Sequence, residues 1–276
     1  MMVAASTFKL PLNLYYYEME NAGEIASDAL MTQGGATLDL CHYLSIVESN
    51  NEISHALLYR IGTFVEYKEA MRKYFTMTDD EIDPKYYQDN YYCTRMMMDT
   101  LKYLYARQDE FPELIDYMKQ SNPQNGYFKA KVTEMEVAHK YGSFEGAEND
   151  VGIFYAEHPF LLAVYTQNVG EGVVQDAARL AADYNAQQTE LYKQQALQAQ
   201  LDAFEAEKQA RLQDAEARAE QARLTLAAAQ EAEKAAPTGD VLLLEAEPDA
   251  EPAQTSAQPQ EAESSASAFQ FNPDNF

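Results

Sequence analysis

Basic residues are scarce in this chain: 20 lysines and arginines stand against 45 aspartates and glutamates, a formal net charge of -25. That balance argues against nucleic acid as a partner and against adhesion to an anionic bilayer, since both need a positive surface. Histidine and cysteine are scarce too. Four histidines are scattered with no H-E-x-x-H or comparable spacing, so neither a catalytic zinc site nor a cofactor is indicated. Cys41 and Cys93 form no C-x-x-C pair; a free pair is the simpler reading and a disulfide the other. No stretch is long and apolar enough to cross a membrane, and the first residues lack a charged segment followed by an apolar one.

What the chain does have is divided unevenly. Most of its 20 tyrosines, 12 phenylalanines and 11 methionines fall before Asn185, enough to bury a core. Beyond that point the sequence turns to Gln, Ala and Glu. A globular domain is expected over 1–186, a charged Ala/Glu/Gln-rich helix over 187–236, and a disordered acidic tail over 237–276. In the helix, Leu197, Leu201 and Phe204 begin a heptad-like seam that Lys208, Arg211 and Ala215 do not continue, which leaves a single charged helix or a weak coiled coil. In the tail, Val241 to Leu244 and Phe269-Gln270-Phe271 are the segments that could dock on a partner protein.

Within the domain, apolar spacing predicts a first helix from near Ser6 to Asn21-Ala22-Gly23, then helices over Asp39 to Val47, Ile53 to Leu58 and Glu66 to Phe75. Thr76 to Tyr92 reads as a polar, tyrosine-rich loop. Thr94 reads as the N-cap of a helix through Tyr105, and Glu113 to Met118 as a short helix. Three antiparallel strands follow, Glu136 to Ser143, Gly152 to Ala156 and Leu161 to Thr166, with turns at Gly146 to Asn149 and Glu157 to Pro159. A closing helix from Gly172 would cover the sheet with Val173, Val174, Ala177, Leu180, Ala181 and Tyr184. The class is α+β, a helical region packed on an antiparallel sheet.

Three segments carry candidate chemistry. Ser6-Thr7-Phe8-Lys9 sets a hydroxyl and an amine one helical turn apart, at i and i+3, with the positive end of a helix beneath the serine. A lysine held neutral there can take the proton of an attacking serine. Ser49-Asn50-Asn51 falls on a short connector between helices, where side chains can be aimed into a cleft. Lys140-Tyr141-Gly142-Ser143 lies on the first of the three strands. Taken singly, each has an ordinary use: a helix cap, a surface cation, turn formers, an exposed strand residue. Their order gives them weight, because Ser-x-x-Lys, Ser-x-Asn and Lys-x-Gly in succession mark the serine enzymes that recognise penicillin.

On these motifs, and on the segments Ser49 to Leu58, Asn149 to Ile153 and His158 to Val164, the chain from Ala4 to about Asn185 resembles the class A β-lactamase type of serine hydrolase. The resemblance implies a β-lactamase/transpeptidase-like fold in which Ser6 attacks a carbonyl and Lys9 takes its proton. It also implies an oxyanion held by the N–H groups of Ser6 and Ser143, and a Ser49 that passes a proton to the leaving nitrogen. Asn51 would orient the substrate and Lys9. Lys140 would hold Ser49 and attract a substrate carboxylate, and Gly142 would let the backbone come close. The implied substrates are β-lactams or peptidoglycan-peptide-like amides such as D-alanyl peptides, and the implied location is extracytoplasmic, secreted or membrane-anchored.

The sequence also departs from that family. Tyr141 stands where most members have threonine or serine, so the hydroxyl that binds the substrate carboxylate is missing or displaced. The family's Glu-x-x-x-Asn loop, whose glutamate activates the water for deacylation, has no counterpart in Thr76 to Tyr92; Glu81 reads chiefly as part of a solvated acidic turn. Only Met1 to Ala5 stand before Ser6, where the family has a helix and two strands, so three strands are expected, and the start is expected to be internal to a longer gene or the chain to be a fragment. Two further readings therefore stay open. One is a catalytically inactive relative that binds a cell-wall ligand in the same cleft; the other is an interaction protein in which the acidic helix and tail matter most.

Overall fold

Caps decide where the first helices begin. Thr37 accepts a hydrogen bond from Leu40 N at 3.3 Å to open α2 (Leu38–Ile46), after α1 (Lys9–Asn21). Asn50 accepts from Ile53 N at 3.0 Å to open α3 (Asn51–Ile61), and Thr63 and Glu66 form a reciprocal capping box for α4 (Phe64–Met71). A 3₁₀ turn, Ala5–Phe8, precedes α1, so Ser6 sits in the tighter turn and Lys9 opens the α-helix proper. Pro11 falls in the first turn of α1, where its missing N–H costs nothing. Leu10, Leu12, Leu14, Tyr16 and Tyr17 are all buried, which makes α1 the central helix of the domain.

The computed structural model describes residues 1–235; the tail expected over 237–276, with its two docking segments, lies outside them. The chain divides into two units, Met1–Lys208 and Gln209 onward. In the first, α5 (Thr94–Ala106), α6 (Pro112–Gln120) and α7 (Tyr127–Lys131) join the earlier helices. The main sheet has strands β3 (Glu136–Phe144), β4 (Ala147–Tyr155) and β5 (Phe160–Gln167), antiparallel in that order. Met2–Val3 (β1) pairs separately with Tyr91–Tyr92 (β2). Alternation splits the sheet between two cores. Ala138, Val151 and Ile153 join the helical core, while Val137 and Phe154 pack with Tyr127, Phe128 and three residues of α8 (Glu171–Ala235). In the second unit the described residues of α8 are exposed, and Asp214 and Arg218 pair at 2.8 Å one turn apart.

The structure corrects several expectations. Thr94 is the first residue of α5, and Cys93 takes the cap position without a side-chain bond. The turn between β3 and β4 is only Glu145-Gly146, both at positive φ (47° and 81°), so Ala147, Glu148 and Asn149 belong to the strand. The buried residues of α8 are Val174, Ala178, Ala182 and Thr189, whereas Val173, Leu180 and Tyr184 are exposed. Small residues seat the helix there because Tyr127 and Phe128 already supply the bulk. Both cysteines are free, as the simpler of the two sequence readings has it.

The segment 76–92 is not a polar loop. It forms two 3₁₀ turns and β2, and turns Tyr86 and Tyr92 wholly inward. Between those rings lies Lys68 of α4, fully buried, its Nζ 3.8 Å from the Tyr92 ring centre and 4.2 Å from that of Tyr86, donating to Tyr91 O at 3.1 Å. Burial lowers its pKa from 10.5 to about 6, with Asp89 opposing. Between those two values the unfolded chain holds a proton that the folded one gives up, so this lysine makes stability rise with pH. Lys68→Met should therefore stabilise the fold by ~1–3 kcal/mol at a pH near 6.5 and by less near 9, read from urea unfolding. Equal gains at both pH values would show that the amine stays charged among its rings.

Candidate active site

Ser6 is half-buried at a cleft of about 360 Å³ whose walls include Phe8, Asn51, His55, Asp89, Asn90 and Ser143. No described protein group hydrogen-bonds its hydroxyl. Lys9 is wholly enclosed, and its Nζ donates to Ser49 O at 2.6 Å, to Asn51 Oδ1 at 2.7 Å and to Ser49 Oγ at 3.2 Å. It does not reach back to Ser6 as the i, i+3 spacing suggested, because three acceptors on the connector take its donors. Burial lowers its pKa to about 7.

Lys140, on β3, is equally enclosed and donates to Ser49 Oγ at 3.0 Å and Tyr141 O at 3.2 Å. Burial, then the charge of Lys9, holds its amine well below the ordinary lysine range, while Asp150 pulls the other way. The Tyr141 ring lies 4.4 Å from Lys140 Nζ and packs on Tyr127 at 4.6 Å, so it covers the lysine. Ser143 is exposed at the strand end, and its hydroxyl donates to Glu148 Oε1 at 3.0 Å.

Gly142 is where strand and nucleophile meet. A Cβ there would stand 2.5 Å from Ser6 N and 2.9 Å from Ala4 O, so only glycine admits this approach. Ala5 and Ser49, one beside the candidate nucleophile and the other between the lysines, both hold positive φ (49° and 55°). Such backbone is uncommon outside glycine and clusters where geometry is over-determined. Here the determining bonds are visible. Asn90 accepts from Ala4 N and donates to Ala5 O, each at 2.8 Å, and Asn149 donates to Val3 O at 2.8 Å.

The cleft wall carries two carboxylates, Asp89 and Glu145, and one imidazole, His55, but no lysine or arginine. Glu81 is not among its lining residues; it caps Thr78 and pairs with Arg95 at 2.7 Å. A larger hollow of about 530 Å³ lies by Glu18, Lys73, Arg107 and Glu110, whose charges already pair with one another. No serine, threonine or cysteine lines it. No group of three or more His, Cys, Asp or Glu suited to a metal occurs among the described residues.

A model of the "Beta-lactamase enzyme family" matches residues 1–187. The chain belongs to that family. Among solved structures, a variant of the last common ancestor of Gram-negative class A β-lactamases is similar at a TM-score of 0.58 and 18% identity, over 68% of this chain and 85% of that one. A β-lactamase from Burkholderia vietnamiensis is similar at 0.56 and 18%, over 67% and 83%, and one from Burkholderia phymatum at 0.54 and 18%, over 66% and 83%. At such identities the likeness speaks to the fold. No curated relative matches the chain.

Asp89, Asn90, His55 and Glu145 are cleft residues that the motifs did not single out. Asn90 follows the acidic run that made its segment look solvated, and His55 stands one turn after Asn51, a spacing that could have placed it. The Gly142 contact yields a direct check. Gly142→Ala should cost ~1–3 kcal/mol in denaturant unfolding, because β3 must retreat from the Ser6 backbone. A loss below ~0.5 kcal/mol would mean the approach is looser than described.

Proposed function

We propose that the protein is a serine acyl-transfer enzyme of β-lactamase type, in which Ser6 attacks the carbonyl of a β-lactam or D-alanyl-peptide-like amide. The observation that carries this reading is the meeting of Lys9 and Lys140 at Ser49 Oγ, with Lys9 also bonded to Asn51, which lines one cleft with the open hydroxyl of Ser6. Ser6 Oγ bonds to the carbonyl carbon as its proton passes to Lys9, which is near neutrality at its lowered pKa of about 7. The N–H groups of Ser6 and Ser143 are the proposed donors to the oxyanion. Collapse of that intermediate breaks the C–N bond; Ser49 gives its proton to the departing nitrogen and takes in exchange the one that Lys9 received from Ser6. Water then releases the acyl group. With Glu81 spent on Arg95, the cleft offers only Asp89, Glu145 and His55 to assist that water, so slow release is the expectation.

Intact mass after incubation with benzylpenicillin tests the reading. We expect one adduct on the native chain and none on Ser6→Ala, with a rate that rises as pH passes through about 7, since only neutral Lys9 accepts the proton. Folded protein that forms no adduct at any pH would sink the acyl-transfer reading for penicillins.

The acidic cleft wall should also oppose the carboxylate that a penicillin carries. Asp89→Asn and Glu145→Gln are each expected to quicken acylation about two- to fivefold at low ionic strength, a gain that added salt removes. An unchanged rate in both variants would show that neither charge is felt at Ser6.

A further inference from the structure

Behind the site runs a set of buried polar side chains that the proposed chemistry does not use. Asn13, one turn after Lys9 on α1, donates through Nδ2 to Lys9 O at 2.7 Å and to Ser45 Oγ at 2.8 Å. Ser45, on α2, meets Ser54 Oγ at 2.9 Å, and Ser54, on α3, donates to Asn50 O at 2.6 Å. Asn50 leads directly to Asn51, whose Oδ1 accepts from Lys9 Nζ at 2.7 Å. The bonds thus close a ring that leaves Lys9 through its carbonyl and returns to it through its amine. A branch runs from Asn13 Oδ1 to His42 Nδ1 at 2.8 Å and from His42 Nε2 to Glu20 Oε2 at 3.2 Å, with Tyr17 stacked on the imidazole at 3.9 Å.

Packing does not ask for these groups. Asn13, Ser45, Ser54 and His42 are all fully buried on helices that otherwise bury Leu10, Leu14, Ile46 and Leu57. Apolar side chains at those positions would incur no desolvation cost, whereas a polar set in a low dielectric is tolerable only when every member is bonded. Each of the ring's bonds fixes a direction. His42 settles which way the Asn13 amide points, Asn13 then aims at both Lys9 and α2, and Ser54 holds the carbonyl of Asn50 as the strained Ser49 begins the connector.

We infer that Asn13, Ser45 and Ser54 are positioning residues that hold the Ser49–Asn51 connector against Lys9 through the protein interior, with His42 orienting Asn13. The inference rests on Lys9 being the base of the proposed reaction, and its test reads Lys9 directly as well as the reaction. Lys140 is the other ionisable group facing Lys9, with Asp150 behind it, and none of the variants below touches either.

In protein labelled with 13C-lysine, the Lys9 Cε resonance is assigned by its loss in Lys9→Met and titrated. The native midpoint is expected at about 7. Asn13→Leu, of similar volume, and Ser54→Ala should each move it up toward the ordinary 10.5, because a released connector lets water reach the amine. Each should also slow Ser6 acylation by benzylpenicillin about tenfold or more at neutral pH. The double variant should be no slower than the worse single one, since a ring opened once is already open. Folded variants with an unmoved Lys9 midpoint, or with losses that simply multiply, would overturn the positioning role. If Asn13→Leu does not fold, the Lys9 midpoint in Ser54→Ala decides alone: a rise supports the positioning role and an unmoved value overturns it. If the native protein takes no acyl group but the midpoint moves as expected, the acyl-transfer reading fails and the positioning of Lys9 stands.

Discussion

Two lysines share one serine hydroxyl inside this domain, and the geometry of the cleft depends on how that is possible. Lys9 and Lys140 are both without solvent exposure, and Ser49 Oγ accepts from each. Two ammonium groups could not be enclosed side by side: burial lowers both amines, and the charge of Lys9 lowers that of Lys140 further. A neutral amine has two N–H groups, and Lys140 has two acceptors, Ser49 Oγ and Tyr141 O. Lys9 has three acceptors, which also satisfy the ammonium form. The two lysines are therefore unlike: the bonds of Lys140 suit the neutral amine, and those of Lys9 satisfy either form.

That arrangement draws on α1, the α2 to α3 connector and β3 at once, so anything that moves one of them moves the site. The strand is brought in by the bare backbone of Gly142 against Ser6 N, and Asn90 and Asn149 pin the residues just before Ser6. The left-handed backbone of Ala5 and Ser49 is the cost of placing two side chains at one point from separate segments. Lys68 extends the same theme. Its amine fastens the tyrosines of the 76–92 segment, the segment that supplies Asn90 and Asp89 to the cleft.

Much of this is readable from residues alone, and the parts that are not share a cause. Ser6, Lys9, Ser49, Asn51, Lys140 and Gly142 stand out because three short motifs follow one another in a set order, although the spacing of Ser6 and Lys9 alone points Lys9 at the wrong partner. The 76–92 segment misleads because Asp79, Asp80, Glu81 and Asp83 advertise solvent, while Tyr86 and Tyr92 turn inward around a lysine roughly twenty residues away in sequence. On α8 the large residues Leu180 and Tyr184 have the look of a buried face, but contact with the sheet admits Val174, Ala178 and Ala182. The ring behind Lys9 is visible in sequence only as polar residues four apart, Lys9 with Asn13 and Asn50 with Ser54. Such pairs usually mark a helix's wet side, and nothing local says that these helices have none there.

The buried amines also bear on what the cleft admits. Enclosed amines of lowered pKa project little positive potential, so the field at the mouth comes from Asp89 and Glu145, on a chain with 45 acidic residues. On the proposed reading, a substrate carboxylate approaching the end of β3 meets the ring of Tyr141 over Lys140, and a Ser143 hydroxyl already given to Glu148. A neutral amide meets no such opposition. On that same reading, acyl transfer needs only the carbonyl to reach Ser6, so selection between acyl donors falls to the walls of the cleft, while the lysines beneath govern the proton. Binding and proton transfer are thereby assigned to different charges, and each can change without the other.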